Sequence, residues 1–333
     1  MTIDVRWGIL GVGRVTERMV AAIRSRPGHR ICMAAGRDPD KLKVWGERHG
    51  VESVTLDLMD VLRSPEVNAI YIALPPALHR EWACRALREG KRVLCEKPLG
   101  LHADDCRARI EASRESSTPL LHATGFIHHP RSHAMRACIK SGELGTIRRV
   151  TVACTFSSVS ERETDHRFSV AAGGGCLLDL GWYCVYATLW FTGLRPLELK
   201  AFGTCREVSS GGAWNQVQTI ARLEGGAVGV WDCGYDAAGR KWIEIAGSKG
   251  SVICDDFLRP WDTSKPRFWV HGQDGKARAE TIGEGIEQES WMIQHAALSP
   301  LASAQESLEL ALSTQTILDQ IEENAVKTAF TNL

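Results

Sequence analysis

The chain has 333 residues, more than one hydrophobic core usually holds, and this length predicts two domains of ordinary size. Its 40 basic and 40 acidic residues balance to a formal charge of zero, which argues against a surface for nucleic acid or anionic membrane and favours a small-molecule partner. The chain start lacks the cationic and apolar stretches of a secretory signal, and no window holds eighteen uncharged apolar residues, so we expect a cytoplasmic protein.

A glycine turn follows the first predicted strand and leads into a helix. Gly11 permits a tight turn, and Gly13 lets the backbone approach a pyrophosphate. The amides of Arg14 and Val15, at the helix start, would bind that anion. Thr16 stands where the usual dinucleotide motif has its third glycine, and an ordinary glycine turn is the alternative interpretation.

A cationic residue follows the second predicted strand, over 31–35. Gly36 and Arg37 stand where dinucleotide-binding folds hold the adenosine ribose. An NAD-specific enzyme usually places a carboxylate there for the ribose 2′-hydroxyl, whereas an arginine suits a 2′-phosphate. The sequence therefore favours NADP as the cofactor, although Asp38 could turn inward and NAD stays an alternative.

A third strand-like run, over 67–74, brings further candidates to the carboxyl edge of the sheet, where cofactors bind. The run ends at Leu74 and Pro75, and His79 falls in the first turn of the helix predicted over 77–90. We predict that these three residues contact the cofactor. A plain surface histidine is an equally good interpretation of His79.

A lysine with a constrained backbone follows the next strand, over 91–95. Proline fixes its own φ and restricts the residue before it, so Lys97, between Glu96 and Pro98, leaves the strand in a nearly fixed direction. We predict that Glu96 and Lys97 lie at the cofactor edge and that Lys97 also reaches the substrate. A helix over 103–115 and a strand over 120–123 would complete this sheet.

The second half is predicted to form short strands with glycine-rich connections, suited to a mostly antiparallel sheet. These strands lie at 148–156, 197–204, 216–223, 227–234, 241–246 and 250–254, with a closing helix over 307–322. A helix should begin after the glycines at 173–175. Asp179 and Tyr183, four residues apart, would lie on one face of it. A helix cap is the alternative for Asp179, and a core position in line with Leu180, Ala187 and Trp190 is the alternative for Tyr183.

These motifs together resemble the Gfo/Idh/MocA oxidoreductases, and the resemblance runs in order from residue 5 to about residue 190. The segments that carry it are Gly11-x-Gly13, Ile72–Pro75 with His79, Leu94–Leu99, Ser141–Ile147 and Gly173–Gly181. It implies a nicotinamide-binding Rossmann domain with a parallel sheet over residues 1–124. It also implies an α/β domain with a large open, mostly antiparallel sheet over residues 125–333, which covers the cofactor and forms a homodimer or homotetramer.

The resemblance also implies an active site of Lys97, Asp179 and Tyr183. Many relatives carry histidine where this chain has Tyr183, and the tyrosine is similar to the branch that includes dihydrodiol and xylose dehydrogenases. Hydride transfer to a carbonyl leaves an alkoxide that needs a proton, so we assign proton transfer to Tyr183. A lysine cation about 4 Å away, at an effective dielectric near 20, would favour the phenolate by up to about 4 kcal/mol. Asp179 would orient the lysine or a substrate hydroxyl, and Lys97 as the proton donor is the alternative.

Several histidines are candidates for contact with the substrate. His128 and His129 lie where relatives line the pocket, and one of them is expected to touch substrate. A zinc site of His129 and His133 is the rival interpretation, but no third ligand is evident and the eleven cysteines are scattered singly, so we predict no metal. His166 and Arg167 are weaker pocket candidates, for which a solvated loop is equally possible.

The leading prediction is therefore an NADP(H)-dependent oxidoreductase that interconverts a secondary alcohol or hemiacetal of a sugar, inositol or related polyol with the carbonyl or lactone. One alternative is a ketoreductase of a nucleotide-linked deoxysugar, which would require the second domain to hold a diphosphate. An alternative of another class is a regulator that senses dinucleotide without catalysis.

Overall fold

The computed structural model describes residues 4–157, 165–205 and 212–329. Its contacts divide the chain into two compact units, one of Met1–Thr124 with Glu287–Leu312 and the other of Gly125–Ile286 with Ser313–Leu333.

The first unit alternates strands with helices. In chain order these are β1 (Val5–Leu10), α1 (Arg14–Arg24), β2 (His29–Ala35), α2 (Pro39–Arg48), β3 (Val54–Thr55), α3 (Leu58–Arg63), β4 (Ala69–Ile72), α4 (His79–Arg88), β5 (Arg92–Glu96), α5 (Ala103–Glu115) and β6 (Leu120–Ala123). In this described part of the chain, six parallel strands pair in the order β3-β2-β1-β4-β5-β6. The predicted Rossmann sheet is confirmed. Neither β3 nor α3 was predicted from the sequence, because both are too short to carry a periodic pattern.

The second unit contains a larger sheet. Its elements before residue 287 are α6 (Pro130–Lys140), β7 (Ile147–Thr155), a π-helical turn (Leu177–Gly181), α7 (Trp182–Thr192), β8 (Pro196–Cys205), β9 (Trp214–Leu223), β10 (Val228–Gly234), β11 (Arg240–Gly247), β12 (Gly250–Cys254), β13 (Arg267–Gly272) and β14 (Ala277–Thr281). Short 3₁₀ turns lie at Gly125–His128, His166–Phe168 and Val170–Ala172.

The closing strand, β15 (Ala325–Ala329), completes this sheet. Over the described ranges its nine strands pair in the order β14-β13-β12-β11-β7-β10-β9-β8-β15, and only the β7–β10 and β8–β15 pairs are parallel. The predicted large, mostly antiparallel sheet is therefore confirmed. Among the described residues, one helical stretch, Val170–Thr192, is apolar and long enough to cross a membrane, but 61% of its 18-residue apolar window is buried in the fold, as in a core helix.

The chain returns to the first unit through α8 (Gln288–Leu298), and α9 (Leu301–Asn324) begins there and ends in the second unit. Met292 and Ile293 of α8 are buried in the core of the first unit. Arg92 of β5 donates hydrogen bonds of 3.1 Å and 2.8 Å to the carbonyls of Ala296 and Ser299. Residues 287–312 were predicted to belong to the second domain, because chain order alone does not indicate where a late helix packs.

Candidate active site

The glycine turn after β1 has the geometry of an anion-binding helix start. Gly11 has φ of +91°, and a Cβ there would lie 2.7 Å from the carbonyl oxygen of Ala73, so only glycine fits. Gly13 precedes α1 without a side-chain cap, and no described atom lies within 4 Å of where its Cβ would be. Arg14 and Val15 are exposed at the start of α1. The turn can therefore admit a pyrophosphate against the helix amides.

Thr16 secures this turn in place of the third glycine. It is fully buried, and its hydroxyl donates a 2.6 Å hydrogen bond to the carbonyl of Gly13. The same hydroxyl accepts a 3.1 Å hydrogen bond from Nε1 of Trp45 in α2. The departure from the usual motif thus leaves the turn fixed and adds a link to the neighbouring helix.

Arg37 and Asp38, which follow β2, have different roles. Asp38 caps α2, because its Oδ1 accepts a 3.1 Å hydrogen bond from the amide of Lys41. Its Oδ2 lies 3.1 Å from the Lys41 ammonium, and the hydrogen bonds from Lys41 hold the pKa of Asp38 below its usual value. Arg37 is exposed beside it. The side chain with no capping role at the end of β2 is therefore a cation rather than a carboxylate.

His79 joins the two loops that follow β4 and β5. It is 1% exposed, with Nε2 2.8 Å from the carbonyl of Leu74 and Nδ1 3.1 Å from the carbonyl of Pro98. It is therefore not the surface histidine that the sequence left as an alternative. The contacts of its ring nitrogens hold Leu74 and Pro75 in register with the Lys97–Pro98 segment.

The loop that carries Lys97 is anchored on both sides. Tyr71, fully buried in β4, donates a 2.6 Å hydrogen bond to Oε1 of Glu96. Pro98 is buried after a cis peptide bond, and Lys97 itself is half-buried. Burial raises the pKa of the neighbouring Cys95 to about 12, so that thiol is neutral at physiological pH. The ammonium thus stands on a rigid support at the end of β5.

The candidate cofactor residues follow one another along a single edge of the sheet. The strand order β2-β1-β4-β5 places Arg37, the glycine turn, Leu74 with Pro75, and Glu96 with Lys97 in that sequence. Neighbouring strands lie about 4.8 Å apart, so this row spans roughly 14 Å from β2 to β5. One elongated ligand lying along the edge would meet all of these residues.

In the second unit, the triple glycine lets two backbone segments pack directly. A Cβ on Gly174 would lie 2.6 Å from the carbonyl carbon of Arg167, and the Gly175 amide donates a 2.7 Å hydrogen bond to the Arg167 carbonyl. Gly173 and Gly175 have φ of +80° and +109°, which favour glycine. The motif thereby places the His166–Arg167 segment beside the π-helical turn that carries Asp179.

Asp179 has a partner that the sequence analysis missed. Its Oδ2 accepts a 3.0 Å hydrogen bond from the hydroxyl of Tyr235, the residue after β10. Burial and then the charge of Asp179 raise the pKa of Tyr235 well above its usual value, so Tyr235 stays protonated and donates. The observed role of Asp179 is therefore an acceptor for Tyr235 rather than a helix cap. Tyr235 carries no motif, and its place just after a predicted strand was the only signal.

Aromatic rings and an ion pair surround this hydrogen bond. The ring of Tyr235 lies 5.0 Å from that of Phe156 and 5.6 Å from that of Phe168. The guanidinium of Arg167 lies 5.4 Å from the centre of the Phe156 ring, and its Nε donates a 3.0 Å hydrogen bond to Asp165. Arg167 is paired with Asp165, whose hydrogen bond and charge, followed by the charge of Asp179, raise the pKa of Arg167. His166 is exposed, with Nδ1 3.8 Å from the same carboxylate.

Tyr183 differs from its neighbours along the helix. Leu180, Ala187 and Trp190, the members of the predicted core stripe, are 8%, 0% and 7% exposed. Between Gly181 and Phe191, a stretch that the structure describes completely, Tyr183 is the one residue that is not buried. The core interpretation of Tyr183 is therefore not what the structure favours.

The double histidine divides into one buried and one half-buried ring. His129 is 1% exposed and caps α6, because its Nδ1 accepts a 3.1 Å hydrogen bond from the amide of Arg131. Burial lowers the pKa of His129 to about 4. His128 is half-buried, and His133 is exposed with its ring 5.7 Å from Trp190. Of the adjacent pair, His128 is the one whose exposure suits contact with a ligand.

Two family models match the chain. One describes an oxidoreductase family with an NAD-binding Rossmann fold and matches residues 5–123, and the other describes a GFO/IDH/MocA C-terminal domain and matches residues 132–253.

Curated proteins and solved structures agree with these models. A dTDP-3,4-didehydro-2,6-dideoxy-alpha-D-glucose 3-reductase from Saccharopolyspora spinosa is 32% identical over 77% of this chain and 76% of that protein. Human trans-1,2-dihydrobenzene-1,2-diol dehydrogenase is 27% identical over 74% of this chain and 73% of that protein. The crystal structure of a 3-ketoreductase from Actinomadura kijaniata, in complex with NADP and TDP-benzene, superposes with a TM-score of 0.89 at 25% identity and covers 98% of this chain and 100% of that one.

Proposed function

The chain belongs to the GFO/IDH/MocA oxidoreductase family, and from this premise we propose that it transfers hydride between NADP(H) and a secondary alcohol or carbonyl, or a hemiacetal or lactone, of a hydroxyl-rich ring. The observation that carries the proposal is the row of Arg37, glycine turn, Leu74 and Lys97 along one sheet edge. This row would suit an elongated dinucleotide bound with its adenosine end towards β2 and its reactive end towards β5.

The preference for NADP over NAD is supported by the residues after β2. Asp38 is committed to capping α2, and Arg37 is available to pair with a 2′-phosphate. The ketoreductase from Actinomadura kijaniata, which this chain resembles, was crystallised with NADP. Gly11, Gly13, Arg14 and Val15 would hold the pyrophosphate.

The proposed reaction gives each candidate residue a separate role. The nicotinamide ring, when bound, supplies or accepts the hydride. Tyr183 would exchange the proton with the substrate oxygen, and the Lys97 ammonium would stabilise negative charge on that oxygen or on the phenol. Asp179 would accept a hydrogen bond from a substrate hydroxyl or from Lys97. His128, with His166 and Arg167 at the margin, would contact the remainder of the substrate.

A free sugar, inositol or related polyol is the substrate class that we propose first. Carboxylate and phenol groups such as Asp179 and Tyr183 can bind several hydroxyls of one ring. The second candidate is a nucleotide-linked deoxysugar ketone. It is favoured by the 32% identity to the dTDP-sugar 3-reductase. The pairing of Arg167 with Asp165 reduces the charge that this segment could offer to a diphosphate.

The test is an assay of the purified full-length protein at 340 nm. The oxidative arm supplies NADP or NAD with a panel of aldoses, inositols and other polyols, and the reductive arm supplies NADPH with simple ketoses and a dTDP-linked keto sugar. We expect turnover of a free sugar or polyol with NADP in the oxidative arm. Turnover confined to the dTDP-linked ketone would establish the second candidate instead. Tight NADPH binding with no turnover in either arm would contradict both and favour a dinucleotide-sensing regulator.

We also propose a homodimer or homotetramer formed through the nine-stranded sheet, acting in the cytoplasm. Phe202, Ile220 and Val326 lie on one sheet face at 62%, 62% and 54% exposure, since Val326 pairs with Phe202 and Phe202 with Gln218, two residues from Ile220. Exposed apolar clusters of this kind mark protein contacts. Light scattering should give a dimer or tetramer for the native chain and a monomer for F202E. A native monomer would contradict the proposal.

A further inference from the structure

We infer that Tyr235 is a positioning residue for the reaction, with its hydroxyl fixing the direction in which the Asp179 carboxylate faces the substrate. The inference rests on the proposed function, which gives Asp179 its role. It adds a residue that lies 56 positions from Asp179 and belongs to none of the motifs.

The ring of Tyr235 is held rigidly. The side chain is 2% exposed, and Phe156 and Phe168 pack against it at 5.0 Å and 5.6 Å between ring centres. Its amide donates a 2.8 Å hydrogen bond to the carbonyl of Asn215 in β9. Because both backbone and ring are fixed, the hydroxyl occupies one place at the end of β10.

The backbone of Asp179 is also fixed by a hydrogen bond. The Asp179 amide donates a 3.1 Å hydrogen bond to the carbonyl of Gly175, which ties the π-helical turn to the triple glycine. With the backbone fixed, the direction of the carboxylate depends on its side-chain torsions and its hydrogen-bond partners. The hydrogen bond from Tyr235 to Oδ2 restricts those torsions and therefore favours one direction for Oδ1.

The restraint matters because Asp179 is the group proposed to accept a hydrogen bond from a substrate hydroxyl or from Lys97. Without the Tyr235 hydroxyl, Oδ2 loses this donor and the carboxylate would change direction. The loss would therefore fall on the catalytic step and leave cofactor binding unchanged.

A double-mutant cycle tests the inference. Y235F removes the hydroxyl and keeps the ring, and it should lower kcat roughly tenfold to a hundredfold, the range of a hydrogen bond to a charged group, with the KM for NADP within twofold of the native value. D179A should lower kcat further, and D179A/Y235F should match D179A alone. Y186F, the same change at a buried tyrosine of α7, is the control and should leave kcat within twofold. F156L, which loosens the ring but keeps the hydroxyl, should give a smaller loss than Y235F.

Two further results separate this inference from the proposed function. If the native chain turns over nothing in the panel, the proposed function fails, and crystal structures of the native chain and Y235F then decide the inference through the Asp179 side chain, which should rotate in the variant. The inference is overturned if Asp179 keeps its position in Y235F. It is equally overturned if the loss of kcat in D179A/Y235F equals the product of the two single losses, because Tyr235 would then act independently of Asp179.

Discussion

The hydroxyl of Tyr71 holds Glu96 through a 2.6 Å hydrogen bond, and Glu96 is the residue before Lys97. Replacing Tyr71 with phenylalanine should lower the free energy of unfolding by about 1–2 kcal/mol, because a half-buried carboxylate loses its donor. It should also weaken NADPH binding severalfold as the loop loosens. Denaturant titration and fluorescence titration measure the two effects. Unchanged NADPH affinity would mean that Glu96 does not need this support.

Lys97 and Tyr183 are expected to act on the same substrate oxygen. K97M and Y183F should each lower kcat by roughly 10²-fold to 10⁴-fold, the range for a lost acid–base group, while NADPH binding changes much less. Because the two groups serve one proton transfer, the double variant should be far less impaired than the product of the single effects predicts. K140A, which removes an exposed lysine of α6, is the control. A kcat for K97M close to the native value would refute the assignment.

Arg37 should determine the choice of cofactor. R37E places a carboxylate where a 2′-phosphate is expected, so the KM for NADP should rise at least tenfold while the KM for NAD rises little or falls. K43E makes the same charge reversal at an exposed position on α2 and serves as the control. The measurement is the ratio of kcat/KM for the two cofactors. A ratio that does not change in R37E would show that the phosphate is bound elsewhere.

Two buried histidines should make the protein acid-sensitive. Burial lowers the pKa of His122 and of His129 to about 4. The unfolded chain takes up these protons near pH 6.5 and the folded chain does not, so stability is complete above pH 6.5 and falls as the pH drops towards 4. The loss is about 3 kcal/mol for each histidine.

Urea denaturation at several pH values measures this effect. H129N keeps an acceptor for the amide of Arg131 and has no titrating ring, so its stability should fall less steeply over the same pH range. A variant with the same slope as the native chain would assign the acid sensitivity to other groups.

The buried pair of Arg131 and Asp256 should be essential for stability of the second unit. Arg131 is 0% exposed and Asp256 6%, and Nη2 of Arg131 also donates a 2.9 Å hydrogen bond to the Asp256 carbonyl. R131M leaves a buried carboxylate unpaired and should cost about 3–5 kcal/mol of unfolding free energy. R222A breaks the surface pair with Glu198, whose side chains are 61% exposed, and should cost less than 1 kcal/mol. Similar losses in the two variants would contradict this difference.

The elements that sequence alone predicts well are those with a local signal. The helix over Ala103–Glu115 and the strand over Leu120–Ala123 match their predicted ends. Their signals are periodicity and flanking turn residues, and both come from residues that are close together in the sequence. The closing helix starts at Leu301, whereas its predicted start was residue 307. The prediction began too late because the first turn of the helix has no clear apolar stripe.

The relationships that sequence does not reveal are those between distant residues. Periodicity placed His79 in the first turn of a helix, but its carbonyl partners at Leu74 and Pro98 depend on how two loops pack. Asp179 was found from its motif, whereas Tyr235 is joined to it only by the meeting of a π-helical turn with the end of β10. Such contacts follow from tertiary packing and have no pattern along the chain.

The return of α8 to the first unit bears on how the chain folds during synthesis. Met292 and Ile293 of α8, with Ala304 of α9, complete a core whose remaining strands and helices end by Thr124, about 160 residues before α8 begins. At roughly 5–20 residues per second, a ribosome needs on the order of ten to thirty seconds to supply them. The nascent first unit therefore exposes the apolar surface that α8 later covers throughout this interval, and chaperones have this time in which to engage it.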